Sequence, residues 1–492
     1  MKNNSILISK SKYLAGMQCH KLLWYHYNNK SAFPETDAGT QAKFDQGHLV
    51  GNYAKTLFPD GIAIEWDIRL NEVIKLTQAK LKERKPLFEA GFEYQNGYAR
   101  VDILNPAPHG KWDIIEVKSS ANLKEENLSD VAFQKYVYQG AGIEINQCYL
   151  LLIDTSYTRH GAIDPHKLFK KVDVTKEVDD LLPKVNKNID IMLEIINRAH
   201  HPEIKIGGQC SKPNPCPLQE LCWKFLPERN IFSLNYGGKK ITQLFNREIL
   251  KIKDIPSDFP LSQKQQIQVE AEKSQNLHLE PEKLRHFLTH IKYPLYSLDF
   301  ETYNPAIPLH DNSSPYEQVP FQYSLHILPE PSGKLEHYSY LAEGQTDPRP
   351  EIVAKLQEEL GDYGSIIAYN ATFEQGILKN CADRFPKYKK WVESIIPRFI
   401  DLMKPFKSFA YYHPDQNGSA SLKLVMPALI GKGYEDMEIS DGGQASQEFL
   451  RVTYTEVSQA ERNQVRTALE LYCQQDTEGM VEMLDALQTI SE

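Results

Sequence analysis

Two short β-patterned runs, YARVDIL and WDIIEVK, lie either side of a Pro/Gly turn segment between Gly97 and Ser120 and constrain this chain more than any other stretch. Their alternation and the turn between them predict adjacent antiparallel strands. Side chains two apart in a strand project from one face, so Glu116 and Lys118 stand side by side, next to Asp102 from the neighbouring strand. Two carboxylates can hold a hard divalent cation, and an ammonium beside them can orient or deprotonate the attacking water. The competing reading is a half-buried hairpin whose charges face solvent. Further on, Gln134 and Tyr138 are four apart on a predicted helix and share one of its faces.

The D…(D/E)-x-K arrangement resembles that of the PD-(D/E)XK nucleases, whose fold is restriction-endonuclease-like. A Q-x3-Y pair after the E-x-K strand is similar to that of RecB-type nucleases, including the members that act in CRISPR adaptation. The resemblance implies that Asp102, Glu116, Lys118, Gln134 and Tyr138 form a catalytic site, with Asp102 and Glu116 as ligands of Mg²⁺ or Mn²⁺. The same nucleases often carry a metal-binding histidine in a G-x3-H pattern. Here Gly47 is followed at once by His48 and the fourth position after it is Gly51. His48 is therefore out of register, a further candidate ligand with a surface histidine as the competing reading.

A chain of 492 residues is too long for one ordinary core and predicts two domains with a connector. Hydrophobic residues at 41% and charged residues at 25% describe a soluble globular protein. There is no apolar run of bilayer length and no basic-then-apolar leader, so the expectation is a cytoplasmic protein with no membrane partner. The formal charge of −9 does not exclude nucleic acid, because a binding groove needs only a local basic surface. Lys379 to Lys407, with Arg384, Lys387, Lys389, Lys390, Arg398 and Lys404, is one candidate surface; a solvated helix face is the bland alternative.

At the N-terminus, SKSKYLAGMQCHKLLWYHYNNK predicts a helix capped by Ser9 or Ser11, with Tyr13, Leu14, Met17, Leu22 and Leu23 inward and Cys19 near its middle. Residues 68–85 predict an amphipathic helix, Asn96-Gly97 a hairpin, and NQCYLLLID a buried strand with Cys148 in the core. GGQCSKPNPCPLQELCW then places Cys210, Cys216 and Cys222 at C-x5-C-x5-C spacing among prolines and glycines. In a chain without a secretion signal this points to metal coordination rather than disulfides. One cysteine before the nuclease core and three after it resembles the iron–sulfur nucleases of the RecB and CRISPR-adaptation type. The resemblance implies that Cys19 completes a 4Fe–4S ligand set, with zinc as the alternative for four thiolates.

Residues 230–290 read as a helical connector. Beyond them, KYPLYSLDFETY is an apolar strand with Asp299 and Glu301 on one face, and SIIAYNATFEQGIL is a strand running into a helix with Asn370 and Glu374 at the junction. LELYCQQDTEGMVEML is a helix that sets Tyr472 and Asp476 on one face. In this order they resemble the three motifs of the DnaQ-like DEDD exonucleases, RNase H-like in fold, of the subtype with tyrosine in the third. The match implies that Asp299, Glu301, Glu374 and Asp476 hold two metals and that Tyr472 positions the attacking water. Glu374 stands where those families usually have aspartate. Asp401 is a spare acid read as structural, and Glu317 is assigned to the next hairpin.

The predicted organisation is α/β throughout: a PD-(D/E)XK domain over 1–229 with a cysteine cluster, a connector over 230–290 and a DnaQ-like domain over 291–492. YEQVPFQYS, SLKLVMPAL and YCQQDT add to the resemblance to a bacterial family with both halves fused. It implies a two-site nuclease acting on single-stranded DNA or DNA ends, in repair or mobile-element defence. The alternatives are a nucleic-acid-binding protein with one decayed site, and an RNA exonuclease.

Overall fold

A computed structural model describes residues 6–65 and 68–492. The chain divides into one unit of Met1–Phe225 with Pro305–Tyr316 and a second of Leu226–Asn304 with Glu317–Glu492. Among the described residues, no helix is long and apolar enough to cross a membrane.

In the first unit the strands are β1 (Ile8–Ser9), β2 (Ile62–Ala63), β3 (Leu87–Tyr94), β4 (Gly97–Pro106), β5 (Trp112–Lys118), β6 (Ile145–Ile153) and β7 (Phe169–Asp173). They form a mixed sheet in the order β2-β3-β4-β5-β6-β7, with β1 alongside β4. As expected, β4 and β5 are antiparallel neighbours. β6 runs parallel to β5. Parallel neighbours need a crossover, supplied here by the helix Glu125–Gly140. The β3–β4 hairpin turns at Gln95 and Asn96, one residue earlier than the Asn-Gly signal suggests, with Gln95 taking the left-handed conformation at φ 49°.

One face of this sheet packs Phe92, Ala99, Val101, Ile114, Leu150 and Leu152 against Phe133 and Val137 of the crossover helix. The other face buries Phe88, Ile103, Ile115, Leu151 and Ile153 with Val50 and Ala54, and takes in Ala306 and Ile307. In β4 the simple alternation breaks at Asp102: Ala99 and Val101 face one core, Ile103 the other, and Leu104 the first again.

The N-terminal segment departs from expectation. It forms two helices, Lys10–Gln18 and His20–Asn28, because Cys19 between them is extended (φ −161°, ψ 123°). Ser9 occupies the cap position, but its hydroxyl meets Ser11 instead of a helix N–H. Met17 is 48% exposed rather than inward.

The second unit contains β8 (His278–Leu279), β9 (Leu295–Tyr303), β10 (Val319–Leu328), β11 (Glu336–Leu341), β12 (Ser365–Ala368), β13 (Phe399–Asp401) and β14 (Tyr411–Tyr412). A mixed sheet has the order β11-β10-β9-β12-β13, and β14 pairs with β8. β9, β10 and β11 are antiparallel, while β12 runs parallel to both β9 and β13. The long helix Gln459–Ser491 is capped by the Ser458 hydroxyl, which accepts from the Glu461 N–H. It is tied to this sheet by Ser297 Oγ donating to the Thr477 carbonyl at 2.7 Å and Gln322 Nε2 donating to the Leu469 carbonyl at 2.8 Å. Residues 230–290, read as a connector, fall within this unit and supply a small core of Ile231, Leu234, Leu244, Ile252, Ile255, Phe259 and Val269.

Candidate active sites

The first site is built on the strand pair that the sequence singles out. Glu116 and Lys118 share a face of β5, and Lys118 Nζ donates to Glu116 Oε1 at 2.8 Å. Asp102 Oδ2 accepts the Val117 N–H at 2.7 Å, which fixes it against the same strand. From the crossover helix, Gln134 Nε2 donates to Glu116 Oε2 and to Asp130 Oδ1, both at 2.8 Å. Burial, reinforced by Glu116, pushes the Asp102 carboxyl up to about 7. Burial also works against ionisation of Glu116, but Lys10 and Lys118 outweigh it and hold that carboxyl below the usual carboxylate range.

Three residues of this site escaped the sequence reading. Asp130 is 1% exposed and accepts from Lys118 Nζ at 2.7 Å. It lies four residues before Gln134, so the stripe Asp130, Gln134, Tyr138 at helical spacing was a usable signal. Lys10, from the N-terminal helix, donates to Glu116 Oε1 at 2.7 Å, a contact across 106 residues that no local pattern announces. Glu89 sits on β3 with a left-handed φ of 57°. The β3–β4 ladder pairs Phe88 with Ile103 and Ala90 with Val101, so Glu89 and Asp102 share the rung between them that is left unpaired. A non-glycine residue held at positive φ within a strand is costly, and such strain gathers at functional sites. Burial raises the Glu89 carboxyl, against the pull of Lys55 at 3.6 Å.

Tyr138 has a different place from the one the motif implies. Its hydroxyl donates to the Ala90 carbonyl and accepts the Val101 N–H, so it clamps β3 to β4 beside the Glu89–Asp102 rung rather than facing the carboxylates. His48 lies on the helix Ala38–Lys55 and belongs to no metal-spaced cluster among the described residues.

The second site gathers its acids from three elements. β9 presents Asp299 and Glu301, and the long C-terminal helix presents Tyr472 and Asp476 on one face. Asp299, Glu301 and Asp476 offer ligand atoms that all lie within 4.8 Å of one another, the one such group among the described residues. Glu374, in the first turn of the helix Thr372–Arg384, is 2% exposed, and its Oε2 is buried without a hydrogen-bond partner. Burial raises the Asp299, Glu301 and Glu374 carboxyls well above the ordinary range, and repulsion among the acids adds to it: Asp476 acts on Asp299, and Asp299 acts on both Glu301 and Glu374. Burial likewise brings Asp476 up to about 7, although the Tyr434 hydroxyl donates to its Oδ1.

Tyr434 comes from the loop after the helix Leu422–Ile430 and had no signature in the sequence; its ring lies 5.9 Å from that of Tyr472. Lys423, in the SLKLVMPAL segment, is the cation whose charge bears on Glu301 and Asp476. Asp401 accepts the N–H groups of Asn370 and Met403, both at 3.0 Å, and orders the turn after β12. Glu317 binds Arg349 at 2.9 Å and Arg384 at 2.8 Å just before β10, a buried ion-pair cluster. Arg384 and Arg398 of the expected basic surface are thus engaged internally, Arg398 by the Gly364 and Tyr363 carbonyls.

Cys19, Cys210, Cys216 and Cys222 line one pocket with Leu22, Ile206 and Leu218. The break at Cys19 turns the first of them towards the other three, and all four are free thiols. Burial raises the Cys216 thiol, the Leu218 N–H lowers it, and Cys19, Cys210 and Cys222 raise it further, so the four groups are mutual neighbours. Their sulfurs do not form a group within 4.8 Å of one another.

Comparison with known proteins finds two curated relatives and one family match. An alignment 211 positions long, which covers 39% of this chain and 32% of the relative, is 25% identical to Uncharacterized protein MG366 of Mycoplasma genitalium. An alignment 204 positions long, which covers 37% of this chain and 30% of the relative, is 26% identical to the Uncharacterized protein MG366 homolog of Mycoplasma pneumoniae. The chain thus spans about a third of the length of the curated relatives it matches. Residues 296–421, which include Asp299, Glu301 and Glu374 and stop short of Lys423, Tyr434, Tyr472 and Asp476, match the family described as Domain of unknown function (DUF2779).

Proposed function

We propose that this protein is a metal-dependent nuclease with two active sites, a RecB-like PD-(D/E)XK site in the first unit and a DnaQ-like 3′–5′ exonuclease site in the second. It acts on DNA ends or single strands, in repair or mobile-element defence. The observation that carries the reading is the acidic group of the second site: Asp299, Glu301 and Asp476 within 4.8 Å, with the unpartnered Glu374 Oε2 as a fourth acid. Buried like charges are costly unless cations neutralise them, and carboxylate oxygens suit hard divalent ions. These four residues would hold Mg²⁺ or Mn²⁺. Such ions supply Lewis acidity towards a phosphodiester and make a nucleophile available at neutral pH.

Around that group, Tyr472 stands on the helix face of Asp476 to hold the attacking water, and the Tyr434 hydroxyl fixes one Asp476 oxygen. In the first unit, Asp102 and Glu116 are the candidate ligands, Lys118 the residue that orients water, and Gln134 the brace between Glu116 and Asp130. Gln134 Oε1 is itself a buried acceptor without a partner, which suits a further polar occupant.

Cys19, Cys210, Cys216 and Cys222, which line one pocket, would hold a 4Fe–4S cluster, with zinc as the alternative that four thiolates also suit.

Digestion of end-labelled single- and double-stranded DNA and RNA, with Mg²⁺ or Mn²⁺, tests the reading. Lys118→Ala is expected to remove one activity and Asp299→Ala the other, with removal of nucleotides from 3′ ends lost in the second variant. Wild-type digestion by both variants would sink the proposal, and digestion of RNA alone would reassign the substrate.

A further inference from the structure

We propose that Lys10 is a resident counter-ion of the first site, which gives up Glu116 when a divalent cation binds and then faces the substrate phosphate. The inference rests on the nuclease reading of that site and adds a residue to it.

Both Glu116 oxygens are already engaged by the protein: Oε1 accepts from Lys10 at 2.7 Å and from Lys118 at 2.8 Å, and Oε2 accepts from Gln134 at 2.8 Å. Oε1 thus already accepts twice, so a cation that takes this oxygen together with Asp102 competes with one of the two lysines. Lys118 is the firmer of the two lysines, because it has a second short bond, to Asp130 Oδ2 at 2.7 Å. Lys10 approaches that same oxygen only to 3.9 Å, and its side chain keeps 28% of its exposure. Lys10 is thus the donor with less to lose.

Its root is fixed. Lys10 is the first residue of the helix Lys10–Gln18, and the preceding Ile8 and Ser9 pair with Gly97 and Tyr98 of β4, the strand that carries Asp102. At the other end of that helix, Cys19 lines the cysteine pocket. A flexible four-carbon stem on an anchored backbone allows an ammonium to change partners without moving the fold. Once released from a carboxylate, it is a strong charge-assisted donor for a phosphate oxygen beside the bound cation.

The test uses the full chain carrying Asp299→Ala and Asp476→Ala, which removes cutting at the second site and two of its candidate ligands, and each Lys10 variant is compared with this parent. Mn²⁺ affinity is measured by titration calorimetry, and cutting is measured on labelled single-stranded DNA. Lys10→Met is expected to bind Mn²⁺ several-fold more tightly, because a competing cation is gone, yet to cut more slowly. Lys10→Arg is expected to restore cutting. A merely structural lysine would weaken both readouts together. Unchanged or weaker Mn²⁺ binding in both Lys10→Met and Lys10→Gln overturns the counter-ion role. Glu116→Gln in the same background separates the two ideas: it is expected to lose binding and cutting, and if it keeps both, the nuclease reading of this site fails and the Lys10 role falls with it.

Discussion

The two acidic sites are assembled from opposite charge patterns. In the first, Glu116 and Asp130 are interleaved with Lys10 and Lys118, so most of the negative charge is answered at short range by the chain itself. In the second, Asp299, Glu301, Glu374 and Asp476 crowd together and lift one another, with a phenol from Tyr434 and the charge of Lys423 as moderating groups. A self-neutralised cluster is content without metal, and removing one member leaves an uncompensated buried charge. A cluster of like charges is under tension without metal, and removing one member relieves it. Similar residue types on a strand face therefore give opposite responses to the same substitution.

The largest effect separates chemistry from charge. Asp299→Ala is expected to lower release of nucleotides from 3′ ends by at least about a hundredfold, since groups that stabilise charge in a transition state commonly carry that much. Glu374→Ala falls sharply, whereas Glu374→Asp keeps activity because it supplies the commoner ligand. If Glu374→Ala trims at the wild-type rate, the fourth acid is not part of the site.

Stability without metal sharpens the contrast. In the presence of a chelator, Asp299→Asn is expected to raise the melting temperature, because one of several repelling carboxyls is neutralised. Glu116→Gln is expected to lower it, because Lys10 and Lys118 lose their shared acceptor, at a cost of about 3 kcal/mol if the pair behaves as a broken buried ion pair. Shifts of the same sign in differential scanning calorimetry would erase the distinction between the sites.

The smallest effect is a pH dependence. Asp476 and Asp102 are both raised to about 7 in the folded chain, above their ordinary range. An acid raised in this way contributes stability at low pH that is lost as pH rises through its folded value. Metal-free protein should therefore be more resistant to urea at pH 6 than at pH 8, by about 1 kcal/mol for each such group. Asp476→Asn and Asp102→Asn are each expected to flatten part of that slope; a slope untouched by either substitution would remove these carboxyls as its source.

Several elements were legible before the structure because their cause is local. The period-two runs at Asp102 and Glu116 and at Asp299 and Glu301 specify strands and the face each acid takes. Helical spacing does the same for Gln134 and for the Tyr472–Asp476 pair. Cys19 shows where such reasoning stops: an apolar period running through it predicted one helix, but the chain extends there and the thiol joins Cys210, Cys216 and Cys222. Packing of distant segments outweighed a propensity worth only tenths of a kcal/mol per residue.

What the sequence by itself determined is which residues of each strand and helix share a face, because backbone geometry sets those periods whatever the chain does elsewhere. Only the tertiary structure decided which distant groups complete each site. It brought Lys10 onto Glu116 and Tyr434 onto Asp476, set Glu89 opposite Asp102 through a left-handed residue in mid-strand, and turned the Tyr138 hydroxyl to the backbone. Those outcomes depend on contacts between residues far apart in the chain, where burial and charge pairing fix the partner and no local period encodes it.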